Sequence, residues 1–136
     1  MNNRELVKLA LEARKMSYSP YSGFSVGAAL LCMDGSVYTG CNIENSAFSP
    51  TNCAERTAFF KAVSEGKRDF VKIAVAGGDN TEDTPLNYCP LCGVCRQVMK
   101  EFCSGDFEIV IAKNPDDFKV ALLCEILPSS FDKREV

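Results

Sequence analysis

Cys53-Ala54-Glu55 and Cys92-Gly93-Val94-Cys95 are the two stretches that decide the fold of this chain of 136 residues. Together they offer three thiolates and one carboxylate, which could meet around one zinc ion if the fold brings the two segments together. The sequence contains no histidine, so it has neither a Ser-His or Cys-His nucleophile pair nor a His-ligated metal. Hydrolytic chemistry would therefore need a metal, a carboxylate, or both. Three ligands would leave a coordination position for water, which distinguishes a catalytic zinc from a structural one.

Both cysteine segments are predicted to lie at the start of a helix. Asn52 is a good N-cap for a helix over 53–65 that ends at Gly66, and a second helix should begin near Cys92 and stop before Gly105. At a helix start, unpaired amides and the helix dipole favour the thiolate form of cysteine. Cys92 and Cys95 are three residues apart and therefore share a helix face.

The remaining segments predict alternating helices and strands. The pattern indicates an amphipathic helix at 3–17, strands at 24–33, 36–43, 71–76, 107–112 and 118–122, a hairpin turn at 34–35, a long loop at 77–91 and a helical turn before Pro128. The predicted order is α-β-β-α-β-α-β-β, and its β-α-β-α-β units favour parallel pairing with right-handed crossovers. We expect one domain over 1–136, of the α/β class: a three-layer α/β/α sandwich with a mixed five-stranded sheet.

Composition is that of a globular protein, with 46% hydrophobic and 24% charged residues. The net charge of −3 and the lack of a basic run argue against a nucleic-acid partner. No apolar run is long enough to span a membrane, and the N-terminus lacks the apolar core of a signal peptide, so we expect a cytoplasmic protein with no membrane partner. In a reducing compartment its eight cysteines are expected to be ligands and core residues, not disulfides.

Two residues near the cysteines admit both a structural and a functional interpretation. Glu55 could complete a capping box with Asn52, or it could act as an acid and base beside a metal with an open position. Arg56 lies three residues after Cys53, on the same helical face. We hypothesise that it donates hydrogen bonds to the thiolates and restores the Lewis acidity that three negative ligands would weaken.

Cys89 leaves the ligand set open. Cys89-Pro90-Leu91-Cys92 is a second C-x-x-C pattern, and a fourth thiolate from Cys89 would close the coordination sphere and make the zinc structural. The chain would then be a non-catalytic, zinc-stabilised binding module. A dithiol redox protein is a further alternative, although it would leave Cys53 without a role.

Several motifs give the chain a close resemblance to a known family, the small homotetrameric cytidine deaminases with a three-cysteine zinc site. The resemblance covers nearly the whole chain. The motifs that carry it are Tyr21-Ser22 with 24–29, Gly40-Cys41-Asn42-Ile43-Glu44-Asn45, residues 53–58, residues 92–97, and 126–128 with Phe131.

The resemblance implies a zinc ion held by Cys53, Cys92 and Cys95 and a water that attacks C4 of the cytosine ring. Glu55 would move the protons, so that ammonia leaves and uridine or deoxyuridine remains, as in pyrimidine salvage. The implied substrate contacts are Phe24 against the base, Asn42 and Glu44 on the ribose hydroxyl, the Ala54 backbone on the pyrimidine, and Phe131 reaching a neighbouring subunit of a homotetramer with shared active sites.

The chain also departs from the family pattern. Leu91 separates Pro90 from Cys92, the preceding loop is longer than usual, and Phe48 replaces a frequent tyrosine. Because the first two changes border the pocket, the resemblance leaves open a related aminopyrimidine nucleoside, such as an antibiotic, or a base in single-stranded nucleic acid. Acidity argues against nucleic acid, and Asn42 with Glu44 favours a free nucleoside. The preference between ribose and deoxyribose also stays open.

Overall fold

The structure, a computed structural model, describes residues 1–135 as one five-stranded sheet with helices on both faces. This confirms the predicted α/β class with a mixed sheet. The elements in chain order are α1 (Asn3–Arg14), β1 (Phe24–Cys32), β2 (Val37–Cys41), α2 (Ala54–Ser64), β3 (Phe70–Asp79), α3 (Gly93–Phe102), β4 (Glu108–Asn114), β5 (Asp117–Leu122), α4 (Leu123–Ile126) and a terminal 3₁₀ turn, Lys133–Glu135.

The strand order across the sheet is β2-β1-β3-β4-β5. β1 pairs antiparallel with both β2 and β3, and β4 pairs antiparallel with β5. Within the described residues, β3 and β4 form the one parallel pair, and α3 connects them. The β3-α3-β4 unit pairs its strands in parallel, as predicted for a β-α-β unit, whereas β2 and β3 do not pair because β1 lies between them.

Alternation along the strands divides the core between two helix layers. On β1, Ala29 and Leu31 pack with α1, whereas Ala28 and Leu30 face α2 and α3. β3 and β4 divide their side chains in the same way, which is the period of two expected for a strand buried on both faces. Phe59 of α2 lies at the centre of the larger core and contacts three aromatic rings: Phe70, Phe102 and Phe107.

Two glycines allow helix backbones to approach the sheet closely. A Cβ atom at Gly27 would lie 2.0 Å from the Ala10 carbonyl oxygen of α1. A Cβ atom at Gly40 would lie 2.5 Å from the Ala54 carbonyl oxygen, in the first turn of α2. Any side chain at Gly40 would therefore push away the helix turn that carries Glu55.

One predicted loop boundary was wrong. Gly77 and Gly78 belong to β3, where they pair with Val26 and Ser25 of β1. Glycine is depleted in strands, which is why the sequence pattern ended the strand early. No helix in the described part of the chain has the length and hydrophobicity that a bilayer crossing needs.

Candidate metal centre and substrate pocket

The starts of α2 and α3 bring three cysteine sulfurs together. Cys53 is the N-cap of α2, Cys92 is the N-cap of α3, and Cys95 lies in the first turn of α3. The Sγ atoms of Cys53 and Cys92 are 3.6 Å apart, and those of Cys92 and Cys95 are 3.0 Å apart. All three lie within 4.8 Å of one another, so one ion could contact all of them.

The predicted N-cap of α2 was wrong by one residue. Asn52 does not cap the helix: its side-chain amide donates to Thr57 Oγ1 at 3.1 Å, and its backbone forms a short bridge with Ile43. Cys53 occupies the N-cap position, and its side chain makes no capping hydrogen bond within residues 1–135. Without an Asn52 cap, the capping-box interpretation of Glu55 no longer holds.

The donor set suits zinc, because three soft thiolates with one open position match a zinc centre that keeps room for water. Arg56 Nη2 donates to Cys53 Sγ at 3.2 Å, as the hypothesis for this arginine requires. A hydrogen bond from the Cys95 thiol lowers the pKa of Cys53 to about 5 against the opposing effect of burial, and Arg56 adds to the lowering. The same hydrogen bond raises the pKa of Cys95. The site is therefore poised to hold negative charge on sulfur.

Glu55 is buried beside the sulfur cluster, with a relative exposure of 4%. Burial raises the pKa of its carboxyl group, and the Cys53 thiolate acts in the same direction. A carboxyl group whose pKa is raised above its ordinary value holds a proton more readily, which suits a group that must both accept and donate one. This environment suits an acid and base better than a helix cap.

Cys89 lies outside the ligand cluster. Of the described residues, Cys53, Cys92 and Cys95 form the one group of three or more candidate ligands, and Cys89 is not part of it. Its thiol packs on β3, where a Cβ atom at Gly77 would be 2.9 Å away, and burial raises its pKa to about 12. Because its sulfur does not belong to the cluster, the structure does not support a closed, four-cysteine structural zinc.

A cavity of about 300 Å³ opens beside the cluster. Phe24, Asn42, Glu44 and Ala54 line it together with Cys53, Glu55 and Cys92, as expected for substrate-contacting residues. The sequence reasoning did not assign the other lining residues, which are Ser22, Val26, Thr51, Asn52, Cys89 and Pro90. A larger cavity of about 480 Å³ lies beside Arg14 and Pro20, and none of the three cysteines lines it. We place the site in the smaller cavity, because the reactive groups are there.

The polar groups of the pocket are held by backbone contacts. Asn42 Oδ1 accepts from the Val26 amide at 2.9 Å and from the Ser17 hydroxyl, and Asn42 Nδ2 donates to the Phe24 carbonyl at 2.8 Å. One Nδ2 hydrogen is left for another acceptor. Both atoms of this amide are therefore oriented before any ligand arrives.

Glu44 is fixed in the same way from the other side. Its Oε1 accepts from the amides of Tyr21 and Ser22 at 2.9 and 3.1 Å, and its Oε2 accepts from the Ser22 hydroxyl. The Ser22 hydrogen bond is the main reason why the pKa of Glu44 is lowered, so the group is a carboxylate at neutral pH. Tyr21-Ser22 is one of the motifs that carry the resemblance, but the sequence did not reveal that these two residues orient the Glu44 carboxylate.

Phe131 and Arg96 lie apart from the pocket lining. Phe131 is 56% exposed on the C-terminal segment, and its carbonyl accepts from Gln97 Nε2 at 3.1 Å. Arg96 Nη1 donates to the Ile126 carbonyl at 2.9 Å, which ties α3 to α4 and gives this arginine a structural partner. Within one subunit, Phe131 therefore contributes nothing to the cavity.

Comparison with known proteins agrees with this geometry. Residues 1–112 match the model of the cytidine and deoxycytidylate deaminase zinc-binding region. A cytidine deaminase of Sporosarcina psychrophila is 46% identical over all of this chain and 96% of its own length, and one of Halalkalibacterium halodurans is 47% identical over all of this chain and 98% of its own. The crystal structure of cytidine deaminase from Burkholderia pseudomallei has a TM-score of 0.87 and 41% identity, and the match covers 96% of this chain and 100% of that one. The protein therefore belongs to the zinc-binding cytidine and deoxycytidylate deaminase family.

Proposed function

We propose that this enzyme hydrolyses the C4 amine of cytidine and deoxycytidine, releasing ammonia and leaving uridine or deoxyuridine. The observation that carries the proposal is the buried carboxyl group of Glu55 beside three convergent sulfurs, at one end of a cavity of about 300 Å³. Zinc held by Cys53, Cys92 and Cys95 would supply Lewis acidity, which lowers the pKa of water toward neutrality.

Glu55 is the proton carrier in this proposal. Replacing the amine by water moves both protons of the water away from its oxygen. The first reaches ring N3 during the attack, and the second reaches the departing nitrogen, which leaves as ammonia while C4 becomes a carbonyl carbon. A single carboxyl group can perform these transfers in turn if it faces C4 and N3 and if its pKa lies above the ordinary value. Burial of Glu55 provides that pKa, and its place in the pocket lining provides the access.

Four other residues would bind and orient the nucleoside. The ring of Phe24 would pack against the base, and the backbone of Ala54 would orient the pyrimidine. Asn42 and Glu44 would hydrogen-bond the ribose hydroxyl, since Asn42 keeps one Nδ2 hydrogen and a carboxylate has four lone-pair positions, more than the three donors that Glu44 already has. Because both side chains are already oriented, little conformational entropy would be lost on binding.

Arg56 would tune the metal site. Three thiolates on a divalent ion leave a net negative charge, which weakens the acidification of water. The guanidinium, 3.2 Å from Cys53 Sγ, would withdraw charge from that sulfur.

We further propose a homotetramer in which Phe131 reaches the active site of a neighbouring subunit. The support is the resemblance to homotetrameric deaminases and the 56% exposure of this large ring in one subunit. A free nucleoside is the favoured substrate over nucleic acid, given the net charge of −3. A place in cytoplasmic pyrimidine salvage is part of the same proposal.

The test follows the ultraviolet change as cytosine becomes uracil, for the wild type and Glu55→Gln, with zinc content measured in both. We expect turnover by the wild type, near-complete loss in the variant, and full zinc in each. Deoxycytidine, an aminopyrimidine nucleoside antibiotic and a cytosine-containing oligonucleotide serve as alternative substrates. Zinc without turnover on any of them would favour the non-catalytic binding module, and turnover retained in Glu55→Gln would remove this residue from the mechanism.

A further inference from the structure

The segment 80–91, which joins β3 to α3, forms part of the pocket. Cys89 and Pro90 line the cavity that contains Glu55, and the zinc ligand Cys92 follows directly. Whatever fixes this segment therefore also fixes one wall of the substrate pocket. The structure shows how each end of the segment is held.

The first end is held by Arg14 of α1. This buried guanidinium donates to three backbone carbonyls: Ser25 of β1 at 2.9 Å, Asp79 of β3 at 2.7 Å, and Glu82 in the segment at 3.0 Å. One side chain thus ties the start of the segment to the sheet. The Arg14 contacts fix where the chain leaves β3.

The second end is held by Tyr88. Its hydroxyl donates to the Asp117 carboxylate at the start of β5. The ammonium groups of Lys113 and Lys119 lie 4.5 and 4.4 Å from the ring centroid, within the range of cation–π attraction. All three partners belong to the β4–β5 hairpin, so Tyr88 binds the segment to a different part of the sheet from Arg14.

The segment also packs directly on the backbone of β3. A Cβ atom at Gly77 would lie 2.9 Å from Cys89 Sγ, and one at Gly78 would lie 3.1 Å from Pro85 Cα. Contacts of this kind leave no room for side chains beneath the segment. The wall is therefore set against the strand and is not separated from it by solvent.

We propose that Tyr88 is a positioning residue for deamination: by binding the β4–β5 hairpin, it fixes Cys89 and Pro90 as a wall of the substrate pocket. This inference rests on the proposed function. Tyr88 is not among the residues that line the pocket with Glu55, so it acts through its neighbours in sequence. Loosening it should weaken nucleoside binding, whereas turnover at saturating cytidine should change little, because Glu55 and the zinc ligands stay in place.

The test compares Tyr88→Phe and Tyr88→Ala with two controls. Tyr38→Phe removes a hydroxyl from β2, and Leu86→Ala shortens an exposed side chain within the same segment. The measurements are kcat and KM for cytidine, the Kd of uridine by calorimetry, zinc content, and amide hydrogen exchange in 80–91. For Tyr88→Phe we expect KM and the uridine Kd to rise about 3- to 10-fold, with kcat within about twofold of the wild type. Tyr88→Ala should raise KM and the uridine Kd more than Tyr88→Phe does. Amide hydrogen exchange in 80–91 should be faster in both Tyr88 variants, and the two control variants should match the wild type.

Each contrary result has a distinct meaning. The proposal would be overturned if Tyr88→Ala left KM, the uridine Kd and the hydrogen exchange of 80–91 unchanged. It would also be overturned if hydrogen exchange became faster while KM and Kd stayed the same, because the segment would then not shape the pocket. A loss of zinc parallel to the loss of activity would also overturn it, because Tyr88 would then support the metal site. A wild-type protein that deaminates no cytosine nucleoside would overturn the proposed function itself, and the exchange data would still report whether Tyr88 holds the segment.

Discussion

Gly40→Ala should impair catalysis by displacing the helix turn that carries Glu55. The added Cβ atom would lie 2.5 Å from the Ala54 carbonyl oxygen and 2.6 Å from the Ala58 amide nitrogen, whereas ordinary contact begins at 3.4 Å. Both contacts are with helix backbone, which cannot rotate away as a flexible side chain would. To restore normal contact, the start of α2 must move from β2 by about 1 Å.

A displacement of this size has a predictable effect on rate. Misplacing a reacting group by about 1 Å can cost on the order of 100-fold in turnover. Overpacking a tight site typically costs about 1 to 3 kcal/mol of stability. We therefore expect kcat for cytidine to fall by about 100-fold, with a lower melting temperature and with zinc retained at saturating metal.

The assay is kcat per zinc-loaded folded protein, with Leu6→Ala as the control. Leu6 of α1 is fully buried in the core cluster on the other side of the sheet, which contains no residue of α2, and its truncation should cost about 2 to 5 kcal/mol. The control should lose at least as much stability as Gly40→Ala and still keep near wild-type kcat below its melting temperature. Wild-type kcat in Gly40→Ala, or an equal loss of kcat in both variants, would refute the link between this contact and catalysis.

Two further predictions concern the sulfur site. Cys89→Ser should retain full zinc, measured by atomic absorption, and most of the deaminase activity, because this buried thiol lies outside the ligand cluster; strong zinc loss would instead mean that the ligand set is wrong. Arg56→Ala should weaken zinc affinity or turnover by about 10- to 100-fold by removing the hydrogen bond to Cys53, measured by zinc competition titration and cytidine kinetics, with Arg56→Lys intermediate. Unchanged values, including an unchanged pH profile, would remove Arg56 from the metal site.

The arrangement of the cysteines was predictable because its signals are local. Spacing and helix-start residues predicted that Cys53, Cys92 and Cys95 would lie at two helix starts, and the structure brings their sulfurs within 4.8 Å. The five strands were also identified from local patterns. The N-cap was misassigned because Asn52 has a competing partner in Thr57, which a propensity does not reveal.

Features that depend on distant partners were not predictable. In the sequence, Arg14 looks like an ordinary charged residue of an amphipathic helix. In the structure it is buried, because its guanidinium donates hydrogen bonds to the carbonyl groups of Asp79 and Glu82, far along the chain. The strand at Gly77 and Gly78 was missed because its stability comes from pairing with β1 and from the segment packed on it. In both cases tertiary contacts override the local preference.

The unusual N-cap of α2 shows a compromise between folding and activity. Serine, threonine, asparagine or aspartate at that position would bind the free amides and typically add about 1 kcal/mol of helix stability. Cys53 makes no such bond among the described residues and turns its sulfur toward the other two cysteines instead. Cys53→Ser would restore a capping side chain but remove one sulfur from the cluster, so the gain in helix stability would be offset by the loss of any stability that a bound metal contributes.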